Sequence, residues 1–215
     1  MEQHNIDPFF CTHTGENSLP GINRSDYQEW LNRLLKNTRL IIEPKIAGSA
    51  IALKYIKGDF KEAISINGEN KTEKIRLIKN IPFKLKSKKD FFIRGELFAR
   101  GFSKIDSKSL TKSFLISRTN EPSIFSFCSF QIFNSQLNQY SQLQALQKIG
   151  FDVPRTHFTK FNTSEVEIYK KLWEKGELFN EYPTDGLVLK VNSRKLQKQL
   201  GENCIYQSWA CAIKI

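Results

Sequence analysis

Residues 184–215 read TDGLVLKVNSRKLQKQLGENCIYQSWACAIKI, two strand-like runs on either side of a helix-like one. Asp185-Gly186 is a turn signal leading into LVLKV, a short run of branched apolar residues that reads as a buried strand. Ser193 is placed to cap the helix SRKLQKQLG. The chain then returns in a second strand, SWACAIKI. Each strand carries a lysine, Lys190 and Lys214, among residues that otherwise belong in a core. Charged groups are rarely buried unless paired or put to use. The plain alternative is an edge strand whose lysine faces solvent, or a stem that snorkels.

Two earlier segments have the same character: EPKIAG (43–48) and IRGELF (93–98). Around them run further strand candidates, RLIIE (39–43), SAIALKYI (49–56), FKEAISI (60–66) after a Gly58-Asp59 turn, FFIRGELF (91–98) and IFSFCSFQIF (124–133). Helices are predicted over SDYQEWLNRLLKN (25–37), with Ser25 as cap and Tyr27, Trp30, Leu31, Leu34 and Leu35 as apolar face. Two more are predicted over SQLQALQKIG (141–150) and over 164–176, with Ser164 and Glu167 as a capping box and Gly176 as the stop. Residues 1 to 24 lack periodicity and read as an irregular arm. Antiparallel strands and separated helices in this order give an α+β fold. The division is an arm and helix over 1–38 and one domain over 39–215.

Composition narrows the function. The chain has 215 residues, 40% of them hydrophobic and 12% aromatic, which suits a globular core rather than disorder. No apolar run reaches the roughly 18–20 residues needed to cross a bilayer, and the N-terminus has no secretory pattern. Cys11, Cys128, Cys204 and Cys211 form no zinc-type spacing, and Cys128 and Cys211 sit in apolar runs as small hydrophobes. The expectation is a reduced, cytoplasmic protein with no membrane partner and no structural metal. Lys plus Arg is 33 against 22 Asp plus Glu, a net +11 that favours a polyanionic partner. His4, His13 and His157 lack a neighbouring acid or ligand spacing and read as surface residues.

The series of motifs resembles a known family. K-x-x-G at Lys45–Gly48, R-G-E at Arg94–Glu96, D-G-x-V-x-K at Asp185–Lys190 and W-A-x-A-x-K at Trp209–Lys214 follow the order of the adenylation domain of NAD-dependent DNA ligases. The resemblance spans roughly residues 41 to 215. It implies a nucleotidyltransferase domain with antiparallel sheets flanked by helices. It further implies Lys45 as the nucleophile that holds AMP, with Asp185, Lys190 and Lys214 on the phosphate side. Glu43 would sit near the adenine and Phe130 pack on it, Glu96 would take the ribose beside Arg94, and Arg118 would reach phosphate or nicked DNA. NAD or ATP would be the AMP donor, Mg²⁺ would arrive with the phosphates, and nicked DNA would be the partner. A second ligase subunit or domain could act in trans. The alternative is a non-ligating homologue that binds adenine nucleotide or nucleic acid, or one chain of a split ligase.

Elementary chemistry supports such a site. A free lysine, titrating near about 10.4, is almost wholly protonated at neutral pH and is then no nucleophile. Neighbouring cations at Lys190 and Lys214 would ease its proton loss and later stabilise a transferring phosphoryl group. The sequence also departs from the family pattern. Ala47 stands where K-x-D-G has aspartate. SINGEN (65–70) lacks an arginine found there in the family, Ser208 precedes Trp209 in place of one, and the segment after Arg118 is short. Residues 1–40 do not match the family's NMN-recognition subdomain.

Overall fold

The computed structural model describes residues 21–23, 26–117, 121–160, 163–201 and 206–214. In chain order the elements are β1 (Gly21–Asn23), α1 (Tyr27–Asn32), β2 (Arg39–Ile46), β3 (Ser49–Ile56), β4 (Asp59–Ser65) and α2 (Thr72–Ile75). There follow β5 (Phe91–Ala99), α3 (Lys104–Ile116), β6 (Phe125–Ile132), α4 (Gln139–Lys148) and β7 (His157–Lys160). The chain ends in α5 (Thr163–Glu174), β8 (Thr184–Val191), α6 (Arg194–Leu200) and β9 (Tyr206–Lys214).

The strands form two sheets, ordered β1-β9-β8-β2-β7 and β4-β3-β5-β6. Every pairing is antiparallel except β1 on β9, which is parallel. The fold is therefore α+β, as the sequence predicts. The period of two along each strand sorts the side chains. In the five-stranded sheet, Leu40, Ile42, Leu187, Leu189, Val191, Trp209, Cys211 and Ile213 join Trp30 and Leu31 of α1 in one core. The intervening residues of β8 and β9, Lys190, Ala212 and Lys214 among them, face the other way and line a cavity. In the four-stranded sheet, Ile51, Leu53, Ile93, Leu97, Phe125 and Phe127 pack with Phe114 of α3 and Leu146 of α4. Their alternates Ala50, Arg94, Glu96 and Phe130 line the same cavity. One face of each sheet thus holds a core and the other faces the cavity, with Lys190 buried there and Lys214 exposed at the strand end.

Several local expectations change. Residues 21–23 form a strand rather than part of an irregular arm, because β9 offers them a sheet edge. Ser25 lies outside the described residues, and the side chain of Asp26 caps α1 by accepting from the Gln28 amide at 2.8 Å. That helix ends at Asn32, not Asn37, so Leu34 is still buried but Leu35 is 73% exposed. Ser164 lies inside α5 rather than at its cap. Glu165 instead folds back to accept hydrogen bonds from the Thr159 hydroxyl and the Lys160 amide. Ser193 caps α6 as expected, accepting from Leu196 N at 3.3 Å. His157 is half-buried against the rings of Tyr169 and Phe179 rather than on the surface, and burial lowers its proton affinity. His4 and His13 lie outside the described residues. Cys128 and Cys211 are buried free thiols, and burial raises the Cys211 thiol to about 12.

Candidate active site

Sequence motifs meet here because glycine lets strands and loops close up. Gly186 has φ of 135°, and a Cβ on it would collide with the carbonyl oxygen of Ile213 on β9. Gly48 lies equally close to the Leu97 carbonyl of β5, which draws the β2–β3 turn onto the other sheet. Lys45 sits at a register irregularity of β2 against β8, between Pro44 and Ile46, where a strand commonly re-aims a side chain. Its ammonium lies 2.6 Å from Oδ1 of Asp185, with the two side chains 18% and 9% exposed.

The second oxygen of Asp185 is also taken. Lys108, on α3, donates to Oδ2 at 2.5 Å. Burial alone would raise the Asp185 carboxyl, but the hydrogen bonds from Lys108 and Lys45 hold it below the usual carboxylate range. Helix α3 is fixed close to Lys45: Ser107 Oγ donates to the Ala47 carbonyl at 2.6 Å and accepts from Ala99 N at 3.0 Å. Ala47 itself is fully buried.

Deeper in the molecule Lys190 pairs with Glu43 at 2.6 Å, both side chains almost completely enclosed. The Lys190 ammonium also lies 4.7 Å from the ring centroid of Phe130. Gln139 Nε2 bridges the Glu43 carboxylate (3.3 Å) and the Phe130 carbonyl (2.9 Å). The charge of Lys190 is therefore compensated by Glu43, so Lys190 is not the bare neighbouring cation expected to repel a proton from Lys45. Glu43 stands behind Lys190 and is not part of the cavity wall.

The cavity has a volume of about 860 Å³, within the range of small-molecule sites. Lys45, Arg94, Glu96, Phe130, Lys190 and Lys214 all line it. Glu96 is half-buried, and its carboxyl is raised to about 8, first by burial, against the pull of Lys45 and Arg94. Arg94 is buried, with its guanidinium 5.8 Å from the Phe133 ring centroid. Lys214 is exposed at the end of β9. Arg118 lies outside the described residues. Ser65 also lines the cavity, and its hydroxyl is buried with no hydrogen-bond partner among the described residues. A polar ligand in the cavity would supply one.

Sequence reasoning missed Lys108 and Lys112, which α3 presents to the cavity. The signal was available: Ser103 with Asp106 three residues later is a capping pattern, and Ser103 Oγ does accept from Asp106 N at 3.1 Å. Gln139 was missed as well, and nothing local distinguishes it.

The chain is similar in sequence and in fold to DNA ligases. The profile of a family described as "NAD-dependent DNA ligase adenylation domain" matches residues 20–119 and 118–215. A DNA ligase of Petrotoga mobilis is 28% identical over an alignment covering 89% of this chain and 33% of that protein. A DNA ligase of Endomicrobium trichonymphae is 30% identical, covering 83% and 31% respectively. The chain thus spans about a third of the length of these relatives. Among solved structures, a putative ATP-dependent DNA ligase from Aquifex aeolicus superposes with a TM-score of 0.55 at 14% identity, covering 83% of this chain and 47% of that one. A structure from a study of Lig E DNA ligases superposes at 0.56 and 17%, covering 92% and 68%. At these identities the structural likeness speaks for the fold.

Proposed function

The chain belongs to the family of NAD-dependent DNA ligase adenylation domains, a family of nucleotidyltransferases, and on that premise we propose that Lys45 takes up AMP as a covalent phosphoramidate. One observation carries the reading: the Lys45 ammonium is held 2.6 Å from Asp185 in the wall of an 860 Å³ cavity rich in cations.

Lys45 first loses a proton to solvent. Its neutral Nζ then attacks the α-phosphorus of the donor, and a P–N bond forms while the P–O bond to the leaving group breaks. The leaving group, nicotinamide mononucleotide from NAD or pyrophosphate from ATP, departs with the bonding electron pair. Glu96 holds the ribose hydroxyls, which suits a carboxyl group that can both donate and accept. Phe130 packs on the adenine, with Glu43 behind it fixing Lys190. Arg94, Lys190 and Lys214 balance charge on the phosphates, with Asp185 orienting Lys45. Among the described residues no cluster of acidic, His or Cys side chains could hold a metal. Mg²⁺ carried with the donor phosphates would neutralise part of their charge. Arg118 is assigned to phosphate or nicked DNA by resemblance. In the full reaction AMP passes to a 5′-phosphorylated end of nicked DNA and the nick is sealed, a second ligase subunit or domain acting in trans where one takes part.

Ala47 favours a second reading. With that aspartate position occupied by a buried methyl group, the protein would bind adenine nucleotide or nucleic acid without ligating, or act as one chain of a split ligase. Intact mass spectrometry after incubation with Mg²⁺ and either NAD or ATP separates the two. A gain of one AMP, abolished in Lys45→Ala, is expected. No gain with either donor, in protein that binds adenylate, selects the second reading.

A further inference from the structure

Asp185 is shared between two lysines, and only one of them belongs to the motif series. Lys45 takes Oδ1 at 2.6 Å and Lys108 takes Oδ2 at 2.5 Å. We propose that Lys108 is a positioning residue for Lys45, acting through Asp185. A carboxylate facing a single lysine can rotate and engage it with both oxygens. With Lys108 on Oδ2, Lys45 is left one oxygen in one direction, its Nζ remaining in the cavity wall. The second cation also draws on the same negative charge, so the carboxylate attracts the Lys45 ammonium less strongly.

Lys108 is built to stay there. Ser103 caps α3, and Ser107, adjacent to Lys108, binds the backbone of both Ala47 and Ala99. One turn on, Thr111 Oγ1 accepts from Ser49 Oγ at 3.1 Å and donates to the Ser107 carbonyl at 2.9 Å. The helix carrying Lys108 is thus fastened to the strand end that carries Lys45. Lys108 is itself about half-exposed, so its charge is not needed to fill a core. Asp185 from β8 bonds both lysines, and the charged groups that line the same cavity are Arg94 and Glu96 from β5, Lys112 from α3, Lys190 and Lys214 from β8 and β9, and Glu69 and Lys71 after β4. With Ala47 in place of an acid, Asp185 holds Lys45 without help from the K-x-x-G turn.

The inference gains its catalytic meaning from Lys45 as the AMP acceptor, but its test needs no nucleotide. Competitive acetylation with acetic anhydride, followed by peptide mapping, reads the reactivity of the Lys45 amine from pH 6 to 11 in the whole chain. Two unit charges a carboxylate apart in a partly hydrated site interact enough to change reactivity roughly three- to tenfold. Lys108→Ala is expected to lower Lys45 acetylation at pH 8 by that factor and move its rise to higher pH. Lys108→Gln should do the same, and Lys108→Arg should restore the original profile. Unchanged reactivity in the Ala and Gln variants overturns the proposal, as does an Arg variant that behaves like Ala. A missing AMP adduct in the native protein would remove the proposed function and leave this result standing. If adduct forms, Lys108→Ala should slow it most at low pH. An equal loss at every pH would make Lys108 a phosphate contact only and also overturn the proposal.

Discussion

Lys190 and Glu43 are joined 2.6 Å apart with side chains only 4% and 3% exposed, 147 residues apart in sequence. The pair lies between the cavity and the core of the five-stranded sheet, and each charge depends on the other. Removing one partner leaves the other buried and uncompensated, at a cost of about 3–5 kcal/mol. Lys190→Met should lower stability by that amount in urea titrations. Lys190→Met with Glu43→Leu should recover much of it. Equal losses in the single and double variants would show that packing, not charge, dominates there.

Glu96 gives a second pH signature. Burial raises its carboxyl to about 8, so the folded chain keeps a proton that the unfolded chain releases near the ordinary glutamate value. Stability contributed by this site is therefore present at low pH and declines as pH rises from about 4.5 towards 8. Glu96→Gln should flatten that decline in denaturant midpoints measured across the interval. AMP affinity near pH 7 should survive the substitution, since the amide also donates and accepts.

Asp185 has the opposite sign. Its carboxyl is held below the usual range despite burial, because Lys108 and Lys45 both bond to it. The stability it contributes is present above the ordinary aspartate value and is lost as pH falls through the depressed folded value. Asp185→Asn should reduce stability at pH 7 and make the protein less sensitive to acid below about pH 4. Thermal melts from pH 2 to 7 measure both effects, and an unchanged acid limb would rule out Asp185 as a contributor.

Gly186→Ala tests the close approach of β8 and β9. The added methyl group meets the Ile213 carbonyl, at a φ of 135° that alanine rarely adopts. A loss of roughly 2–5 kcal/mol is expected from strain and overpacking together. Because Asp185 is the preceding residue, acetylation of Lys45 should also change.

Much of this arrangement was legible in the sequence. Long apolar runs bounded by turn residues located β3, β4, β5, β6, β8 and β9 to within a few residues. The four motif segments pointed to the strands that now face one cavity. Helix α3 was marked only by its Ser103–Asp106 cap, for a physical reason. Its buried positions include Ser107 and Thr111 beside Phe114 and Leu115, so hydrogen bonds to neighbouring strands replace part of the usual apolar stripe. Lys108 was lost with it. The Lys190–Glu43 pairing and the three-residue β1 depend on partners far along the chain, which no local pattern encodes.

The two sheets differ in how the chain supplies them, and this has a kinetic consequence. The four-stranded sheet uses only residues between 49 and 132, whereas the other sheet gathers strands from 21–23, 39–46, 157–160, 184–191 and 206–214. Local pairings close small loops and form early, while distant ones wait for large loops to close. The sheet over 49–132 is expected to assemble first as a template during synthesis. Lys45 then remains without Asp185 until the segment 140 residues downstream has emerged. Lys45 is thereby set in place only after the sheet that faces it has formed.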